Sequence, residues 1–185
     1  MMLTPAKTET ALKTVAVEPV SPQASPALQS EVGLTSILSA YLRETLPLDL
    51  SELAQDVVAQ MLTEGRLDGV DIHYHLPEER VSVELPRLQF AEILEQMVTA
   101  AAGAMKALTN RTHVLRVIVE DADPFGDFGP RLRVQDTGAS VIVEDALQEA
   151  IERAETLGAK LTVKNRPMGG NIFTVELPAE QIRSW

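Results

Sequence analysis

Cysteine is absent from this 185-residue chain, which removes disulfides, thiolate metal sites and cysteine nucleophiles together, so nothing here depends on redox compartment. Positive charge is scarce: 16 lysines and arginines stand against 27 acids, a formal net charge of −11. Nonspecific nucleic-acid affinity comes from a basic surface and counterion release, so the balance argues against nucleic acid and points to a cationic partner surface. No run approaches the ~20 apolar residues needed to cross a bilayer, and the first residues show no basic-then-apolar leader pattern. The expectation is a cytoplasmic protein without membrane insertion. Histidines number three, none before His73, and no internal repeat is visible.

What is present suffices for one globular domain and a tail. Residues 1–30 mix Thr, Ala, Pro, Ser and Lys, with Pro5, Pro19, Pro22 and Pro26 interrupting any period, as expected of a disordered arm. Over 31–46, Leu34, Ile37, Leu38, Tyr41 and Leu42 fall at helical spacing on one face. This amphipathic segment either packs on its own domain or binds a second copy.

The main domain is expected over 47–185. Pro47 stops the preceding helix, and Asp49 caps the next, with Glu52 three residues on and a stripe of Leu50, Leu53, Val57 and Met61 running toward Gly65. Residues 71–76 and 80–85 alternate as short strands turned at Pro77, Glu78 and Glu79. Pro86 suits the first turn of the longest helix, whose buried face is marked by Phe90, Leu94, Met97, Val98, Ala101, Met105 and Leu108. Strands over 113–120 and 131–136 follow, and alternation in the second puts Leu132, Val134 and Asp136 on the face toward the helices. A last helix carries Leu147, Ala150, Ile151, Ala154 and Leu157 and stops at Gly158. Residues 160–165 and 172–177 close the domain as a hairpin turned at Gly169 and Gly170, with Phe173, Val175 and Leu177 inward. The fold class is α/β (α+β): a two-layer sandwich in which a mixed, mostly antiparallel sheet, joined mainly as hairpins, carries helices on one face.

In this order, from about 48 to 178, the pieces resemble the ATP-binding domain of bacterial sensor histidine kinases and the wider GHKL ATPase superfamily. Glu84-Leu85-Pro86-Arg87-Leu88 resembles the family's Asp-x-x-Arg-Leu stretch at the start of the long helix. The family's Asn-Leu-Leu-x-Asn-Ala pattern falls on Gln96-Met97-Val98-Thr99-Ala100-Ala101, so Ala100 stands where the resemblance implies a magnesium-binding asparagine and Gln96 at the earlier one. Magnesium demands oxygen ligands, and a methyl group offers none. The family's Asp-x-Gly-x-Gly box falls on Asp136-Thr137-Gly138-Ala139-Ser140, keeping the acid and one glycine. Asp136 is then either an adenine acceptor or an acid that ends a strand and bonds a turn amide. Where the family inserts an ATP lid, Val141-Ile142-Val143 leads almost at once into a helix beginning near Glu144, which leaves no lid to cradle phosphates.

The resemblance thus implies a degenerate, catalytically inactive relative, a pseudokinase with no metal and no cofactor beyond residual ATP or ADP at Asp136, Gly138, Gln96 and Ala100. It would act as a protein-binding or regulatory module in two-component-type signalling. Its partners would be a response regulator, a sensor kinase or a second copy of itself. The alternative is a weak nucleotide binder or residual ATPase using the turn at Asp136 and Gly138. Further residues weigh less. His73 and His75 share a strand face that suits solvent better than a metal. His113 reads as a hydrogen-bonded rim residue. Asp127-Phe128-Gly129 spells a kinase triplet without its usual companions, and Asp121, Asp123 and Asp127 lack calcium-loop spacing. Phe125 and Phe128 either fold back onto the sheet or form an aromatic contact for a partner; folding back is the expectation.

Overall fold

The computed structural model describes residues 47–109, 111–125, 128–141 and 147–178. The expected arm over 1–30 and the amphipathic segment 31–46, with Leu34, Ile37, Leu38, Tyr41 and Leu42, lie outside the described residues. Strand β1 (Pro47–Asp49) hands the chain to helix α1 (Leu50–Thr63) through the capping acid that the sequence predicts. Asp49 Oδ1 accepts from the backbone N–H groups of Ser51 at 2.8 Å and Glu52 at 3.4 Å, meeting two donors that a helix start leaves orphaned. Its Oδ2 takes Arg80 Nε at 2.9 Å. Asp49→Ala is expected to lower the unfolding free energy by about 1 kcal/mol, seen in urea denaturation as a lower midpoint with an unchanged slope. The predicted stripe of Leu50, Leu53, Val57 and Met61 is buried, and Ala54 and Val58 join it.

Strands β2 (Val70–His75) and β3 (Ser82–Glu84) follow, then helix α2 (Arg87–Lys106), which starts after Pro86. Next come β4 (His113–Glu120), β5 (Arg131–Gln135), helix α3 (Gln148–Thr156), β6 (Lys160–Asn165) and β7 (Asn171–Glu176). Five strands make one sheet in the order β2-β4-β5-β7-β6, with β2 and β4 parallel and the other neighbours antiparallel. Leu115, Val117, Leu132, Val134, Phe173 and Val175 face the helices and are buried, together with Phe90, Leu94, Met97, Val98, Ala101 and Met105 of α2. Burying each large apolar side chain contributes roughly 1.5–3 kcal/mol, which makes this interface the main source of stability. Helix α2 packs against both α1 and α3.

The expected hairpin over 71–85 does not form. Strand β2 lies parallel beside β4, while β3 pairs antiparallel with β1 in a separate two-stranded sheet, Leu48 opposite Val83. The reason is the crossover: a parallel pair needs a long return, and β3 with α2 supplies it between β2 and β4. Val81, Val83 and Leu85 alternate into the core, on a strand joined to β1 rather than to β2. Strand β1, three residues long, carries too little pattern to be read from sequence. The last helix starts at Gln148 and ends at Thr156, just before Gly158 with φ +73°; Leu147, expected on its stripe, is the non-helical residue that precedes it, and the expected start near Glu144 lies outside the described residues. The two loop phenylalanines part company. Phe128 folds back under the Arg131 guanidinium, 3.5 Å from its ring centroid, whereas Phe125 does not fold back and is 89 % exposed. Among the described residues no helix is long and apolar enough to cross a membrane.

Candidate functional site

Strand β5 ends at Gln135, and the next inward position belongs to Asp136, which is 1 % exposed. A carboxylate so placed must find donors or stay protonated. It finds them on two elements. Oδ1 accepts from the Gly138 backbone N–H at 2.6 Å, the local turn bond that the sequence suggests. The Asn171 side-chain Nδ2 donates to Oδ1 at 3.0 Å and to Oδ2 at 2.9 Å. Burial nevertheless pushes the Asp136 pKa above the usual carboxylate value; the bonds from Asn171 and Gly138 and the nearby Arg166 cation pull the other way without prevailing.

Asn171, fully buried at the start of β7, is the residue that sequence reasoning missed. Its signal was phase: it alternates with Phe173 and Val175, so its amide had to face the core and required partners there. It also donates to the Ala139 carbonyl at 2.8 Å and accepts from the Val141 N–H at 3.2 Å, so it holds the chain after Gly138 as well as Asp136 before it. The β6–β7 turn adds a clamp. Gly170 N–H donates to the Gly138 carbonyl at 2.8 Å, and Arg166 Nη2 donates to the Asp136 carbonyl at 2.5 Å. Gly170 has φ +86°, and a Cβ there would lie against the Asp136 carbonyl. The Gly169 and Gly170 pair is the hairpin turn that the sequence predicts, and it also covers the Asp136 backbone.

On the other side the turn rests on α2: Ala139 N–H donates to the Ala104 carbonyl at 2.9 Å. Ala104, Ala100 and Gln96 follow one another at four-residue spacing on one strip of this helix, so all four residues singled out from the sequence lie on α2 or on the turn that touches it. Gln96 and Ala100 are half-buried and line a hollow of about 370 Å³ with Arg66, Glu95 and Thr99. The Arg66 guanidinium bridges Glu95, Glu64 at 3.3 Å and the Thr99 hydroxyl at 2.6 Å. The Glu95 hydrogen bond is the main cause holding the Arg66 pKa above its usual value. The hollow therefore offers a methyl group at Ala100, a Glu95 carboxylate and a Thr99 hydroxyl both engaged by the Arg66 cation, and the amide oxygen of Gln96, a set dominated by a resident cation that fits a magnesium ion poorly.

The remaining candidates lie elsewhere. His73 and His75 are exposed on the far face of the sheet, His73 paired with Asp71 at 2.9 Å. His113 is half-buried, and its Nδ1 has no hydrogen-bond partner among the described residues. Asp127 lies outside the described residues, and no group of three or more His, Cys, Asp or Glu able to hold a metal ion occurs among those described.

The sequence matches no protein-family model and no curated protein. Solved structures do match. The catalytic domain of the histidine kinase ThkA is 21 % identical with a TM-score of 0.56, covering 72 % of this chain and 95 % of that one. The ATP-binding domain of PrrB from Mycobacterium tuberculosis is 14 % identical with a TM-score of 0.58, covering 72 % and 96 %. The cytoplasmic segment of the histidine kinase QseC is 14 % identical with a TM-score of 0.56, covering 85 % and 98 %. The mixed sheet with its helical layer thus has the fold of histidine-kinase ATP-binding domains.

Proposed function

We propose that the chain is a non-phosphorylating member of this fold that works as a protein-binding, regulatory module in two-component-type signalling, in the cytoplasm. The observation that carries the reading is the commitment of Asp136: the acid that the resemblance assigns to adenine is 1 % exposed and bound by Asn171 and Gly138. A carboxylate held inside the domain as a brace is poorly reached by a base amino group. Ala100 and the Arg66-bound Glu95 support the same reading, because phosphoryl transfer depends on a metal and positioned donors to stabilise the transferring group. A protein partner is supported by the complex of the histidine kinase ThkA with the response regulator TrrA. That kinase is 20 % identical with a TM-score of 0.58, over 83 % of this chain and 48 % of its own.

Calorimetric titration of the full chain with a non-hydrolysable ATP analogue, with and without magnesium, tests the loss of nucleotide handling. The expected result is no saturable heat in either condition. Saturable micromolar binding would restore the alternative, a residual nucleotide binder built on the turn at Asp136 and Gly138.

A further inference from the structure

The chain has many more acids than bases, so an arginine without a carboxylate partner is the exception that calls for a reason. Of the nine arginines among the described residues, six are ion-paired: Arg66, Arg80, Arg87, Arg131, Arg133 and Arg153. The other three, Arg111, Arg116 and Arg166, have no carboxylate within ion-pair reach among the described residues, and they gather at one end of the sheet.

The strand register shows how. His73 stands opposite Arg116, Arg116 opposite Gln135, Gln135 opposite Ile172 and Ile172 opposite Lys164, so one row across all five strands contains no acid. This row lies on the face away from the helices, since its residues alternate with the buried Leu115, Val134 and Phe173. Thr137 and Arg166 stand two positions beyond Gln135 and Lys164, and with Arg111 they line a hollow of about 440 Å³. A second hollow, of about 520 Å³, opens between the two exposed histidines, Arg116 and Gln135. Three acids of this face have contacts there. Asp71 pairs with His73, and at the opposite end of the strands Glu120 holds Arg133 at 2.9 Å and Glu176 holds Arg131 at 3.2 Å. The fold therefore gathers arginines without a salt bridge, with Lys164 beside them, at one end of one face of a chain whose net charge is −11, where Asp71 contacts His73 and Arg166 lies near the buried Asp136.

We propose that this end of the open sheet face, carrying Arg111, Arg116, Lys164 and Arg166, docks a carboxylate-rich face of a partner protein. Charge complementarity selects the occupant, because opposed patches steer encounter and suppress wrong partners. A finite acidic face can sit within the basic patch. An extended polyanion such as nucleic acid must run past it onto a surface of the opposite sign, where repulsion opposes binding. The proposal deepens the protein-binding role, and its test uses no nucleotide, so failure here and failure of the ATP titration are separate results.

Hexaglutamate serves as the probe, titrated at low salt into the isotope-labelled full chain and followed by backbone amide shifts. Saturable shifts are expected at Arg116, Gln135 and the turn at Gly169. Arg116 is exposed, and Arg116→Glu should weaken binding about fivefold, the scale of an exposed ion pair turned into a repulsion. Lys164→Glu, on the edge strand β6, should repeat the loss. Lys106→Glu, exposed at the end of α2, changes net charge equally and should leave affinity within about twofold. The proposal is overturned by an absence of saturable binding, by equal weakening in Arg116→Glu and Lys106→Glu, or by an oligodeoxythymidylate that binds more tightly than hexaglutamate.

Discussion

Gly138→Ala is expected to lower the unfolding free energy by about 3 kcal/mol or more, because the added methyl collides with backbone rather than with a yielding side chain. A Cβ at this position would stand 2.5 Å from the Met105 nitrogen and 2.6 Å from the Ala104 oxygen, both inside the hydrogen-bonded body of α2. Gly138 is not among the glycines with positive φ, so space and not backbone conformation demands the glycine. The same substitution within α2 itself separates the two explanations. Gly103 is exposed on that helix, and a Cβ added to it would meet nothing within 4 Å, so Gly103→Ala should stabilise by about 0.5–1 kcal/mol through helix propensity. Urea unfolding of the two variants should therefore move in opposite directions. A Gly138→Ala protein as stable as the wild type would mean that the turn does not sit on α2.

Asp136→Ala should cost about 2–4 kcal/mol, since it strips the acceptor from two buried donors at roughly 1–3 kcal/mol each, offset in part by removing a poorly solvated charge. The donors left behind are the Gly138 N–H and the Asn171 amide. The pH dependence of this loss carries more information than its size. Burial dominates the Asp136 carboxyl and raises its folded-state pKa above the unfolded value, so the native state binds the proton first. Its contribution to stability is then greatest below the unfolded pKa and declines as pH rises through the folded one. The gap in unfolding free energy between wild type and Asp136→Ala should narrow over that window with rising pH and then level off. A gap that widens instead would mean that Asn171, Gly138 and Arg166 outweigh burial and that the carboxylate is the favoured form.

Much of this architecture is legible residue by residue. The Asp49 cap, the stripe of α1, the bounds of β4 and β6 and the inward phase of Asp136 all follow from side-chain period and cap chemistry. The fold class follows as well, once the strands and helices are set in order. The pairing of β2 did not follow, because alternation states which face of a strand is buried and says nothing about which neighbour it joins. Asn171 illustrates the same limit at the site. Its inward phase was readable, but the carboxylate it binds lies 35 residues earlier in the chain.

Period, caps, turn glycines and net charge are properties of consecutive residues, and the sequence alone determined them here: a helical layer on a mostly antiparallel sheet, an acid aimed into the core, an excess of 11 negative charges. Only the tertiary structure decided that Asp136 is taken up by Asn171, that Arg66 is bound to Glu95 beside Ala100, and that Arg111, Arg116 and Arg166 come together without a salt bridge among the described residues. The physical reason is common to all three. Hydrogen bonds and ion pairs act over about 3 Å, so they join residues that the fold brings side by side, whatever their separation along the chain.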